Sequence, residues 1–135
     1  MSTRDLTREA LAAFSGSGQF YRNPLFPKVI FTEGVEFLTQ NGCAWLVDDI
    51  SAHICSAAFN AAAEADPRIE RMHFWHLDVH EQGGATLAAR ADRDEPAFIT
   101  QEIPLTDAPF DLDIWAAKNV IQDREYQTLM LPSEY

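Results

Sequence analysis

Apolar and polar positions alternate most clearly between residues 71 and 103. In "RMHFWHLDVH" they place Trp75, Leu77 and Val79 on one face and His76, Asp78 and His80 on the other, the period of a strand with one covered side. "GGATLAARAD" repeats the pattern, with Leu87, Ala89 and Ala91 set against Thr86, Arg90 and Asp92, and "EPAFITQEI" supplies a third strand. A three-residue connection through Gln82, Gly83 and Gly84 keeps both apolar rows on one side and sets Arg90 opposite His76.

Upstream the period changes to helical. "STRDLTREALAAF" carries Leu6, Ala10, Leu11 and Phe14 as one stripe, with Ser2 and Asp5 as a capping pair and Gly16 and Gly18 as the stop. Pro24 and Pro27 hold "FYRNPLFPKVIF" extended, with "KVIF" as an edge strand. Thr32 caps a short helix, "EGVEFLTQN", that Gly42 ends. Residues Cys43 to Ala65, free of glycine and proline, predict one long helix burying Val47, Ile50, Ile54, Ala57, Ala58 and Ala61. "TDAPFDLDIWAAKN" predicts a turn and a short helix around Trp115, and "YQTLMLPSEY" a last strand and docked tail. The expected fold is one α+β domain over residues 1–135: an antiparallel sheet of three to five strands, packed on one face by the long helix, with short flanking helices.

Composition adds one feature to this picture. Hydrophobic residues make up 47% of the 135, enough for a core without disulfides or a structural metal, but 21 acids against 10 bases give a net charge of −11. Such a surface disfavours direct contact with nucleic acid or an anionic membrane and favours a basic partner. Cys43 and Cys55, the only cysteines, are too far apart on one helix for a disulfide and read as small buried side chains. With no apolar signal region or membrane-length run, a cytoplasmic setting is expected.

Several segments occur in order along nearly the whole chain: "FSGSGQFYRNPLF", "FTEGVEFL", "GCAWLVDDISAH", "FWHLDV", "QEIPLTDAPFD" and "LMLPSEY". Together they resemble domain of unknown function 6876, a family of small bacterial, plasmid- and phage-associated proteins. Tyr21, Arg22, Pro24, Trp45, Asp48 and Trp75 fall on the shared pattern; Phe20, Phe31 and Ala108 depart from it. The resemblance brings no activity and implies a prokaryotic setting linked to mobile elements.

The candidate chemistry is sparse. "SGSGQFYRNP" follows a helix and precedes an extended segment, the wrong context for either a Walker or a dinucleotide loop, so its glycines are read as a helix stop that seats Phe20 and Tyr21. Arg22 is read as pairing with a carboxylate or capping carbonyls. His76, Asp78 and His80 form a possible metal row, which Glu102 could join, although strand residues two apart stand about 7 Å from each other. Arg90 opposite His76 also counts against a cation. His53 and His73 read as core-edge histidines, and Asp48 and Asp49 as compensation of a helix dipole. The acid-rich stretch from Asp92 to Asp113, with Asp94, Glu95, Glu102, Asp107 and Asp111, is the expected partner-binding edge.

The leading expectation is therefore a cofactor-free accessory protein of mobile elements that binds another protein, in its sharpest form an inhibitor of host defence (anti-restriction or anti-CRISPR) by acidic imitation of nucleic acid. The alternatives are a small-molecule or nucleotide-binding module, or a metal-dependent hydrolase using the strand histidines.

Overall fold

The computed structural model describes residues 6–16 and 18–135. In chain order its elements are α1 (Arg8–Ala12), β1 (Tyr21–Arg22), β2 (Val29–Phe31), α2 (Glu33–Leu38), α3 (Ala44–Ile54), α4 (Ala57–Ala65), α5 (Arg68–Arg71), β3 (Met72–Val79), β4 (Ala85–Arg90), β5 (Ala97–Ile103), β6 (Leu112–Ile121) and β7 (Arg124–Met130). The fold is α+β, but the sheet has seven strands, ordered β1-β2-β7-β6-β3-β4-β5. It is mixed rather than antiparallel, because β2 runs parallel to β7. "KVIF" is accordingly no edge: β1 lies outside it, pairing Tyr21 with Phe31.

Residues 112–121 form a strand, not a helix around Trp115. Leu112, Ile114 and Ala116 are buried while Asp113 is exposed and Trp115 half-buried, so period two wins over the helical propensity of the two alanines. The slot between β3 and β7 supplies hydrogen-bond partners on both sides. The hairpin from β6 to β7 turns through Gln122 and Asp123, both in the left-handed region (φ 51° and 64°). Neither residue type at these positions announces a tight hairpin, which is why the strand was hidden.

The expected 43–65 helix is two helices. Ser56 leaves the helical conformation (φ −91°, ψ 161°), accepts the Phe59 N–H at 3.2 Å and donates to the His53 carbonyl at 2.6 Å. That local bonding restarts the helix in a new direction. The buried stripe therefore stops at Ile54; Ala57, Ala58 and Ala61 are exposed, and Phe59 carries the packing of α4. Cys43 is buried as expected, but the break exposes Cys55. In α1 the cap is Thr7, whose side chain accepts from Ala10 N–H, and the helix ends before either glycine; the Ser2–Asp5 pair lies outside the described residues. Thr32 caps α2 as expected.

The core lies between the sheet and the helices. Trp75, Leu77, Leu87, Ile114 and Leu129 meet Val35, Leu38, Leu46 and Ile50 there, all at 1% exposure or less. The tail docks into this layer: Glu134 accepts from the Thr32 hydroxyl at 2.6 Å, Gly34 N–H at 3.1 Å and Leu131 N–H at 3.0 Å.

Candidate functional site

Alternation fixes what the sheet presents on its second side. Along β3, His73, Trp75 and Leu77 are buried, whereas Phe74 and His76 are half-buried and Asp78 is exposed. Pairing lines up Met130, Trp115, Phe74 and Arg90 in one row, and Asp113, His76, Ala88 and Thr100 in the next. Asp78, Thr86 and Glu102 make the third. The hairpin connection spans five residues, His80 to Gly84, and pairs Val79 with Ala85. Faces are therefore as expected but the register moves by two: Arg90 stands opposite Phe74, and His76 opposite Ala88.

Two regions result. The first is an aromatic groove of about 690 Å³, lined by Phe74, Trp115, Arg90, Arg93, His76 and Tyr135. Phe74 meets Trp115 edge-on at 5.3 Å between centroids, and Tyr135 covers Trp115 at 5.4 Å. The second is acidic. Asp113 accepts from His76 Nδ1 at 2.7 Å, and Asp111 lies 3.5 Å from His76 Nε2 while accepting the Val79 N–H at 2.8 Å. Asp111 precedes β6, so the helix expected around Trp115 concealed its arrival at this histidine.

The His76, Asp78 and His80 row does not meet as a unit. His80 turns to Thr86 Oγ1 at 3.1 Å, and Glu102 bonds the same hydroxyl at 2.9 Å. The expected partner-binding acids divide as well. Glu102, Asp111 and Asp113 share the open face; Asp92, Asp94 and Glu95 sit on the connection from β4 to β5, where Glu95 binds Arg68 at 2.7 Å. Asp107 lies beside Trp45 in another groove. There its charge adds to burial, the main cause, in pushing the Cys43 thiol up to about 11.

Tyr21, Arg22, Asp48 and Trp75 of the shared pattern make contacts within the fold. Tyr21 stacks on Phe31 at 6.0 Å, and among the described residues Arg22 donates to the Tyr126 hydroxyl at 3.2 Å and pairs with no carboxylate. Asn23, between Arg22 and Pro24, was missed: it is buried and donates to Asp48 Oδ1 and Ser51 Oγ, both at 3.2 Å, locking the extended segment to α3. Asp48 is thus engaged by a side chain, as is Asp49 by Gln101 at 3.1 Å, instead of compensating a dipole. Trp75 is wholly buried under His53, which bonds Gln101 at 2.7 Å. His73 bonds the Ile69 carbonyl, and desolvation, partly offset by that bond, drives its imidazole down to about 4.

These features define an α+β protein with a mixed seven-stranded sheet, helices packed on one side and an aromatic and acidic surface on the other. The chain belongs to the family of unknown function DUF6876, whose model matches residues 5–135. No curated protein and no solved structure gave a match. No helix among the described residues is long and apolar enough to cross a membrane.

Proposed function

We propose that the protein acts by docking another protein onto the open face of its sheet. The observation that carries this reading is that β3, β4, β5 and β6 bury one side and leave aromatic rings and carboxylates together on the other. Aromatic side chains give a partner large contact area at small entropic expense, and the carboxylates around them select for basic groups. A net charge of −11 supports a basic, nucleic-acid-binding partner. The mobile-element setting implied by the family resemblance makes a host restriction or CRISPR component the specific candidate, in a cytoplasmic setting.

The test is capture from a bacterial lysate on immobilised wild-type protein, Thr100→Arg with Glu102→Lys on the open face, and Glu64→Lys on α4. A basic protein retained by wild type and by Glu64→Lys, released by about 0.5 M salt and lost with the open-face pair, is expected, since that salt screens charge beyond a few ångströms. Retention that survives the open-face pair would remove this face from the mechanism.

A further inference from the structure

We propose that His76, Asp78 and Asp111 form a binding site for a divalent transition metal, for which Zn²⁺ is the best match. One ligand atom from each of the three lies within 4.8 Å of the others, and His76 Nε2 and Asp111 Oδ2 are already 3.5 Å apart. Ligands bound tetrahedrally at about 2.0–2.1 Å sit roughly 3.4 Å from one another, so a small rotation of Asp78 completes three sides of such a shell.

The surroundings set the donor atoms. Asp113 accepts the Nδ1 proton of His76 at 2.7 Å, which fixes the tautomer and turns the Nε2 lone pair towards Asp111. Carboxylate–histidine–metal relays use this arrangement. The Val79 N–H holds one oxygen of Asp111 and leaves the other facing the imidazole. Among the described residues, the ion-pair partners of Asp78, Asp111 and Asp113 are histidines alone; Arg90 and Arg93 line the neighbouring groove with His76 and Asp113 but pair with none of the three acids. Arg90, which the expected register placed directly opposite His76, stands opposite Phe74, one row away, and still lines the groove beside His76.

The i, i+2 spacing of His76 and Asp78 does not defeat the site, because Asp111 enters from the segment before β6 and closes the gap. A mixed nitrogen and oxygen set of three favours zinc over magnesium or calcium, and one position stays open to water or to an anionic group. His80 bonds Thr86 and stands 4.0 Å from Asp78 Oδ2, a neighbour of the set and not one of its three ligands.

Co²⁺ serves as the spectroscopic probe, titrated into the full chain with Zn²⁺ as competitor. Wild type should develop the intense visible bands of four- or five-coordinate Co²⁺, which Zn²⁺ abolishes. His76→Ala and Asp111→Asn should each lose the bands, Asp113→Asn should weaken binding about 10- to 100-fold, and Glu64→Lys on α4 should leave it unchanged. Circular dichroism and a thermal melt on each variant confirm that it is folded. Wild-type spectra no different from those of His76→Ala, or an equal loss in Glu64→Lys, would overturn the assignment.

Discussion

His73 shows what a single side chain does at this packing density. Its ring is enclosed by Phe59, Trp75 and Phe98, with centroids 5.0, 5.8 and 5.9 Å away. Burial depresses its pKa from 6.5 to about 4. Between those two values the unfolded chain binds a proton that the folded chain refuses, so this stability is intact above pH 6.5 and lost as the pH falls towards 4. The loss is on the order of 3 kcal/mol. Urea midpoints at pH 7.5 and 5.0 should therefore differ more for wild type than for His73→Phe. Gly34 is the second informative residue. A Cβ there would stand 2.5 Å from Glu134 Oε1 and 2.6 Å from Leu131 Cδ1. Glu134 can swing away only by giving up its bonds to Thr32, Gly34 and Leu131. Gly34→Ala should cost about 1–3 kcal/mol in a denaturant titration, and combining it with Glu134→Ala should add less than the sum, since both release the same tail.

At the scale of elements, the turn between β6 and β7 holds unused stability. Gln122 and Asp123 both have positive φ, where Asn and Gly are at ease. Gln122→Asn with Asp123→Gly should stabilise by about 1 kcal/mol and raise the thermal midpoint by several degrees. The same turn explains what the sequence concealed. Strands β3, β4 and β5 were legible because each runs for six or more residues beside glycine- or proline-marked turns. β6 was not, since its turn lacks those markers and Ala116-Ala117 favours helix on propensity alone. The Cys55 break was hidden for a related reason: a serine inside an alanine-rich run gives no warning that it will cap a new helix. The candidate site inherited both outcomes. His76 and Asp78 could be placed together from alternation, whereas Asp111 and Asp113 reach them only through the strand that was read as a helix.

For the whole molecule, charge works against compactness. Eleven unbalanced negative charges repel one another in the folded state more than in the expanded chain. Stability should accordingly rise between 20 mM and 300 mM NaCl, seen as an increase in thermal midpoint, because the screening length shrinks to a few ångströms. A midpoint that falls would show that ion pairs such as Arg68 with Asp66 and Glu95 outweigh the repulsion. The order of the sheet has a further effect on how this molecule is made. β1 and β2 precede the other five strands along the chain, yet the partner of β2 in the finished sheet is β7, the last of the seven. The β1–β2 pair must wait, its inner edge unmet, while every residue up to β7 is synthesised. A stall near position 120 would therefore leave the β1–β2 pair without its partner, exposed to the cell's proteases.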